Sequence, residues 1–216
     1  KLPSKAGFIY RNAFARRDII REKYANFALN NNTTVNADTL YPYEVVEKAI
    51  DYFMERDYCG YSNKTENNVE RAMINKYWDN LTDYFNGSSL NALAIIDTSG
   101  SMRGIPITVA VSLGLYCAER MGGPFTNHYM SFASRPQLIE CEGVDFIDKV
   151  KRIWETNLCD NTNIEAAFDL LLSTATYYKI DKKDMPENLI IISDMEFDKA
   201  QGRSSIFWSG SGLTSK

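Results

Sequence analysis

The sequence predicts an α/β fold in which a doubly wound, mostly parallel sheet follows a small all-α region. The first observation is that short apolar runs, which fit buried strands, alternate with helical apolar patterns in the second part of the chain. The second is that the first part shows apolar positions at helical spacing alone. We therefore divide the 216 residues into a helical region, 1–87, and an α/β domain, 88–216.

Three helices are predicted in the helical region, over 12–29, 42–57 and 66–85, because apolar residues recur there every three or four positions. The second helix begins at Pro42, and proline suits the first turn of a helix. The segment Asn-Gly-Ser-Ser at 86–89 is typical of a turn and ends this region.

The α/β domain is organised around residues 92–101. Ala92 to Ile96 form a short apolar run, which predicts a strand that is buried on both faces. The loop Asp-Thr-Ser-Gly-Ser follows at 97–101, and Pro106 then begins an apolar pattern that predicts a helix. A carboxylate and two hydroxyls thus lie between a strand and a helix, where open α/β sheets bind ligands.

Further strands and helices alternate along the rest of the domain. In order, we predict a strand pair at 128–132 and 137–141, helices at 146–154 and 164–175, and a strand at 189–193. The connection within the strand pair is short enough for a hairpin, so one of its strands should be antiparallel at the sheet edge. The last strand ends in an aspartate, Asp194, as the first one ends in Asp97.

The side chains of Asp97, Ser99 and Ser101 form a ligand set of hard oxygen atoms with low charge. Such a set favours Mg²⁺ or Mn²⁺ over Zn²⁺. Thr162 lies in a second loop of the same domain, but together with Glu165 it also fits a capping box at the start of a helix. Both interpretations of Thr162 stay open at this point.

The pattern Asp97-x-Ser99-x-Ser101, between a strand and a helix, resembles the first motif of the metal-ion-dependent adhesion site (MIDAS) of von Willebrand factor A domains. The resemblance implies a threonine ligand in a later loop, matched by Thr162, and an aspartate after the next strand, matched by Asp194. It implies that these five residues hold one Mg²⁺ or Mn²⁺. A remaining coordination position would accept an Asp or Glu side chain of a protein partner.

Five segments extend the resemblance over nearly the whole chain: 3–7, 40–46, 97–102, 161–163 and 193–198. On these segments the chain is similar to an uncharacterised intracellular family with a helical region ahead of a von Willebrand A-like domain. That family is distantly similar to the Ro ribonucleoproteins, which bind structured RNA. The resemblance implies that the sheet should continue well past Asp194, so we expect it to be truncated or to lack a segment after about residue 202.

RNA binding by the helical region is the alternative function. Five cations lie within the 13 residues from 11 to 23, at the start of the first predicted helix: Arg11, Arg16, Arg17, Arg21 and Lys23. Lysine and arginine side chains that contact phosphates supply much of the affinity for nucleic acids. The cluster equally fits a solvated helix face whose partners are Asp18 and Glu22.

Two classes of enzyme share part of the loop pattern. Residues 95–100 are similar to the active loop of aspartic proteases, but those need a second such aspartate, and this sequence has no second Asp-Thr/Ser-Gly. Aspartyl-phosphate phosphatases carry a second aspartate where Ser99 stands. The sole histidine, His128, begins a predicted strand, a position typical of a structural role. We therefore expect a binding module and not an enzyme, with an aspartic-type hydrolase as a remote alternative.

Composition limits the location and partners of the protein. The net charge of −4 gives no general attraction to nucleic acid or to an anionic membrane, and no apolar run reaches 18 residues. None of the four cysteines lies in a C-x-x-C pair, which disfavours zinc. We expect Cys59, Cys117, Cys141 and Cys159 to be reduced, mostly packed thiols of a cytoplasmic protein.

Overall fold

The computed structural model describes residues 3–58, 68–85, 90–132, 135–156 and 163–194. The described helices of the helical region are α1 (Ser4–Ile9), α2 (Arg11–Arg16), α3 (Asp18–Leu29), α4 (Pro42–Tyr58) and α5 (Asn68–Asp79). The α/β domain adds, in chain order, β1 (Ala92–Asp97), α6 (Ile105–Arg120), β2 (His128–Phe132), β3 (Leu138–Glu140), α7 (Phe146–Thr156), α8 (Ile164–Tyr177) and β4 (Asn188–Ile192). Short 3₁₀ turns lie at Gly100–Met102 and Lys182–Asp184.

The four described strands form one sheet in the order β3-β2-β1-β4. β1 pairs in parallel with β2 and with β4, whereas β3 pairs antiparallel with β2 at the edge. Parallel neighbours need a crossover connection, and α6 lies in the one between β1 and β2. The structure confirms a mixed α/β protein with a mostly parallel sheet, and it confirms the predicted hairpin.

β1 lies inside the sheet and is buried along its whole length, as predicted. Its side chains alternate between two hydrophobic cores. Ala94 and Ile96 belong to the core that includes residues of α6 and the helical region, whereas Leu93 and Ile95 belong to the core that includes α8. Both faces of the strand are therefore covered, which is why its sequence is a continuous apolar run.

Helix α6 approaches β1 closely at Gly114. A Cβ atom at this position would lie 2.1 Å from Cδ1 of Ile96, a side chain that is fully buried. The helix begins after Gly104, whose φ of +86° is one that residues with a side chain rarely adopt. These two glycines set the path of the chain from the end of β1 into the helix that follows it.

The bounds of two predicted helices were wrong. The helix predicted over 12–29 is two helices, because the backbone of Arg17 is extended (ψ 114°) between α2 and α3. This break lets α3 pack on both α2 and α5. The helix predicted over 66–85 ends before Asn80, whose Nδ2 donates to the carbonyl of Lys76 at 2.8 Å. The same carbonyl also accepts from the backbone N–H of Asn80 at 3.2 Å, so the Asn80 side chain adds a second hydrogen bond at the end of the helix.

Trp78 of α5 packs the helical region onto the α/β domain. Its ring stacks on Phe146 of α7 with the ring centroids 4.2 Å apart, and its Nε1 donates to a carboxylate oxygen of Glu119 at 2.7 Å. Glu119, on α6, also accepts from Nζ of Lys149 on α7 at 2.7 Å. One hydrophobic core therefore runs across the predicted boundary at residue 87.

Arg71 of α5 forms a second link between the two parts. Its Nε and Nη2 donate to the two carboxylate oxygens of Asp145 at 2.7 and 2.8 Å, and Nη2 also donates to Asp148 at 2.5 Å. Asn75 donates to Asp145 at 2.6 Å. Burial raises the pKa of Asp145, but the hydrogen bonds from Arg71, Asn75 and the backbone of Asp148 outweigh it and lower the pKa below 3.8.

We predict that this link makes stability depend on pH in the acid range. Because the pKa of Asp145 is lower in the folded state, its stabilisation is present above the unfolded pKa and is lost as pH falls through the folded one. Asp145→Asn should therefore reduce the free energy of unfolding at neutral pH and flatten its decline below about pH 5. Urea unfolding at several pH values measures both, with Asp181→Asn in an exposed ion pair as the control. If the free energy of unfolding fell equally steeply with decreasing pH in wild type and in Asp145→Asn, the prediction would be contradicted.

Cys117 and Cys141 are free and buried, which confirms the prediction for these two thiols. Burial raises the pKa of Cys117 to about 11 and that of Cys141 to about 12, so both stay protonated and unreactive near neutral pH. Cys59, Cys159 and the turn predicted at 86–89 lie outside the described residues. No helix in the described ranges is long and apolar enough to cross a membrane.

Candidate functional site

The carboxyl ends of β1 and β4 meet at one edge of the sheet. The strands are parallel neighbours, and the pairing of Ile96 with Ile192 brings Asp97 to the level of Ser193, with Asp194 next along the chain. β2 follows β1 on one side of it, and β4 lies on the other side, so the strand order reverses here. In open α/β sheets, ligands bind in the crevice at such a point.

Asp97 is fully buried, and both of its carboxylate oxygens accept a hydrogen bond. The backbone N–H of Ser99 donates to Oδ1 at 2.9 Å, and the hydroxyl of Ser193 donates to Oδ2 at 2.5 Å. A buried carboxylate needs such partners, because leaving water costs free energy that only hydrogen bonds or opposite charges offset. Asp97 therefore holds the loop after β1 against the end of β4.

The hydroxyls of Ser99 and Ser101 lie side by side in the same loop. Their Oγ atoms are 2.9 Å apart, with Ser99 buried and Ser101 exposed. The 3₁₀ turn at Gly100–Met102 positions them, since the backbone N–H of Met102 donates to the carbonyl of Ser99 at 3.1 Å and the Met102 side chain is buried. The structure thus brings Asp97, Ser99 and Ser101 together, with one serine open to solvent.

Asp194 follows β4 and is exposed, so it provides a second carboxylate at this edge of the sheet. Among the described residues, no group of three or more His, Cys, Asp or Glu side chains is close enough together to hold a metal ion. Any cation bound here would therefore depend on hydroxyl oxygens as well as on the two aspartates.

Asn163, and not Thr162, caps helix α8. The Asn163 side chain accepts a hydrogen bond from the backbone N–H of Ala166 at 3.0 Å, and the helix begins at Ile164. The predicted capping box of Thr162 and Glu165 is therefore wrong by one residue. Thr162 itself lies outside the described residues, so its predicted role as a ligand stays a prediction.

The predicted basic cluster does not share one surface. Arg11 is buried, where it donates to the carbonyl of Phe8 at 3.0 Å and to Glu70 at 3.3 Å. The other four cations, Arg16, Arg17, Arg21 and Lys23, are exposed. Arg11 thus stabilises the contact between α2 and α5. Because it is buried, its side chain is not available to bind a phosphate.

Ser193 is the site residue that sequence reasoning missed. Its hydroxyl contacts Asp97 across 96 positions of chain, a contact that depends on the register between β1 and β4. The position of a serine at the end of a predicted strand, before Asp194, was the available signal. That signal is weak, because serine is common at strand ends and nothing local indicates which strand lies alongside.

The described residues thus form a mixed α/β protein with helices packed on a mostly parallel sheet and a buried aspartate at the carboxyl edge. The chain belongs to the family of the domain of unknown function DUF7788, which matches residues 91–211. The "Uncharacterized protein L728" of Acanthamoeba polyphaga mimivirus is 28% identical over an alignment 228 residues long, gaps included, and the alignment covers 97% of this chain. The chain spans 37% of the length of that relative. No solved structure matches.

Proposed function

We propose that the chain is a von Willebrand A-type module that binds Mg²⁺ or Mn²⁺ and, through that ion, an acidic side chain of a protein partner. The observation that carries the proposal is the buried Asp97 with the hydroxyls of Ser99 and Ser101 at the carboxyl edge of the sheet. The exposed Asp194, after the neighbouring parallel strand, supplies a further oxygen ligand.

The strand order supports this assignment. A doubly wound sheet of the Rossmann type has the order 3-2-1-4-5-6, and the described strands follow the order of its first four positions, β3-β2-β1-β4, with β3 antiparallel at the edge. Helices cover both faces of the sheet, since α6 packs on one and α8 on the other. The point at which this order reverses, between β1 and β4, is the point at which Asp97 and Asp194 lie.

The distance between the two serine hydroxyls fits a hard divalent cation. Two oxygen ligands at right angles around Mg²⁺, each about 2.0–2.1 Å from the ion, lie about 2.9 Å apart. The Oγ atoms of Ser99 and Ser101 are 2.9 Å apart and joined by a hydrogen bond, which an ion bound between them would replace. Their chemistry fits as well, because carboxylate, hydroxyl and water oxygens are the ligands that Mg²⁺ and Mn²⁺ prefer.

The burial of each residue indicates its role in holding the ion. Asp97 is buried and already accepts two hydrogen bonds, so it would orient the loop and add negative charge, directly or through water. Ser101 and Asp194 are exposed and would face the ion and its partner. A bound dication is a large local positive charge, and it would favour an anionic oxygen from an Asp or Glu.

We propose that this module acts by binding and not by catalysis. The aspartic-protease interpretation needs a second Asp-Thr/Ser-Gly loop, and the phosphatase interpretation needs an aspartate where Ser99 stands; the sequence has neither. His128 supports the same view, because its Nδ1 lies 2.9 Å from the backbone carbonyl of Thr126 at the start of β2.

Direct Mn²⁺ binding tests the proposal. We expect wild type to bind Mn²⁺, measured by electron paramagnetic resonance of the free ion, and Ser101→Ala to bind it at least tenfold more weakly. Ser101 is exposed, so this change should leave the fold intact. Ser173→Ala, an exposed serine on α8, is the matched control. Equal Mn²⁺ binding by Ser101→Ala and wild type would place the ion elsewhere.

RNA binding by the helical region is the second candidate. Four exposed cations support it: Arg16 in α2, Arg17 between α2 and α3, and Arg21 and Lys23 in α3. Arg16→Glu with Arg17→Glu should weaken binding of a structured RNA and flatten its dependence on salt, since each phosphate contact contributes about 0.7–0.9 to the log–log slope. Asp97→Ala should change neither. A filter-binding titration at several salt concentrations measures both, and loss of binding in Asp97→Ala alone would move the RNA to the metal edge.

A further inference from the structure

Ser193 follows β4 directly and donates a hydrogen bond to the loop at 97–101 that follows β1. Its Oγ lies 2.5 Å from Oδ2 of Asp97, although the two residues are 96 positions apart in the chain. The strand register explains this contact, because Ile192 pairs with Ile96 and the residue after each of them stays at the same level. The contact therefore depends on the pairing of β4 with β1.

Two hydrogen bonds from different parts of the fold orient the carboxylate of Asp97. The backbone N–H of Ser99 donates to Oδ1 at 2.9 Å, from within the same loop, and Ser193 donates to Oδ2 from the end of β4. The bond from Ser99 restrains only one of the two oxygens, and the χ2 angle of an aspartate has a broad preference by itself. The hydroxyl of Ser193 thus fixes the plane of the carboxylate.

This arrangement leaves room for an ion at Asp97. An ionised carboxylate has about four acceptor positions. Among the residues that the structure describes, Ser99 and Ser193 take two of them, one on each oxygen. An ion, or a water bound to it, can therefore use a further position while both donors stay in place. Groups that donate to a metal-binding carboxylate orient it, and replacing them typically weakens metal binding by about 10- to 100-fold.

We propose that Ser193 is a positioning residue of the metal site, which acts through Asp97 and couples ion binding to the pairing of β4 with β1. The inference rests on the proposed function and deepens it, because it makes the ion depend on the position of a strand. Ser193 and Asp194 follow the same strand, so β4 brings both a donor to Asp97 and a second carboxylate to this edge. By linkage, a bound ion should in turn stabilise the end of β4 against β1.

Mn²⁺ binding by variants of Ser193 tests the first part of the proposal. Ser193→Ala should bind Mn²⁺ at least about tenfold more weakly than wild type, measured by electron paramagnetic resonance of the free ion. Ser193→Thr keeps the hydroxyl and should bind Mn²⁺ as wild type does. Ser112→Ala is the matched control, because Ser112 is buried and donates to the carbonyl of Val109 at 2.7 Å within α6. It loses a hydroxyl hydrogen bond as Ser193→Ala does, and its Mn²⁺ affinity should not change.

Hydrogen exchange measured by mass spectrometry tests the coupling. At Mn²⁺ concentrations that saturate each protein, exchange in wild type and in Ser193→Thr should slow by a larger factor in β4 than in β2. β2 is the internal reference, since it is the other parallel neighbour of β1. In Ser193→Ala the extra protection of β4 should be lost, even though the ion is bound.

The outcomes separate this inference from the metal site itself. If wild type binds Mn²⁺ and Ser193→Ala binds it equally well, Ser193 has no positioning role and the metal site stands. If wild type binds no Mn²⁺, the metal site is refuted and the role of Ser193 with it. Equal weakening in Ser193→Ala and in either Ser193→Thr or Ser112→Ala would also overturn the proposal.

Circular dichroism shows whether each variant is folded. If Ser193→Ala does not fold, hydrogen exchange of wild type with and without Mn²⁺ still decides the matter. Protection of β4 that exceeds that of β2 supports the coupling, and equal protection of the two strands overturns it.

Discussion

Replacing Asp97 by alanine is expected to abolish the rise in melting temperature that Mg²⁺ or Mn²⁺ should give the wild-type protein. An ion that binds only the folded state adds about 2.7 kcal/mol at a concentration of 100 times its dissociation constant. For a chain of this size that corresponds to a rise of roughly 5–10 °C. Asp97 is the buried carboxylate that holds both the serine loop and Ser193, so its loss removes charge and geometry together.

The same variant should also be less stable without any ion. Asp97→Ala leaves the N–H of Ser99 and the hydroxyl of Ser193 without their acceptor, at roughly 1–3 kcal/mol for each buried group. The test therefore compares the ion-dependent shift within each variant, by differential scanning calorimetry. Asp38→Ala, at an exposed aspartate of the helical region, should keep the full shift. A wild-type protein that shows no shift with millimolar Mg²⁺ or Mn²⁺ would refute the metal site.

Trp78→Ala is expected to lower the free energy of unfolding by about 3–5 kcal/mol, the usual cost of removing a large buried aromatic side chain. Trp78 is almost fully buried, stacks on Phe146 and donates to Glu119. Because these contacts join α5 to α6 and α7, the substitution should destabilise both the helical region and the α/β domain. The two parts should therefore unfold together, in wild type and in the variant.

Hydrogen exchange measured by mass spectrometry distinguishes this result from a local effect. Trp78→Ala should raise exchange in α4 and in β1 by a similar factor, because one core contains residues of both. Tyr41→Ala, at an exposed ring on the surface of the helical region, should change neither. If exchange increased in α4 alone, the helical region would be a separate folding unit and the boundary at residue 87 a true domain boundary.

Much of the fold could be predicted because each local pattern has one dominant physical cause. The continuous apolar run of β1 reflects burial on both faces, and the proline near the start of α6 reflects the missing N–H of a first helical turn. The short connection before β3 allows an antiparallel partner only. These are properties of a segment and its immediate neighbours, and the sequence contains them in full.

The break at Arg17 and the burial of Arg11 could not be predicted in the same way. The sequence from 12 to 29 continues a helical pattern, and the chain bends there because α3 packs on α2 and α5. Arg11 looks like a member of a surface cluster, yet Glu70 and the carbonyl of Phe8 pair with it in the interior. Both outcomes depend in part on residues of α5, which are distant in sequence, so a local pattern could not predict them.

For the candidate site, the sequence by itself determined the side chains that could bind an ion: one aspartate and two serines at alternate positions after a buried strand. Only the tertiary structure decided that β4 lies beside β1, so that Ser193 donates to Asp97 and Asp194 joins the same edge. It also decided which oxygens are buried and which face solvent. The physical reason is that ligand identity is a property of side chains, whereas their convergence follows from strand order and register, which the packing of the whole sheet determines.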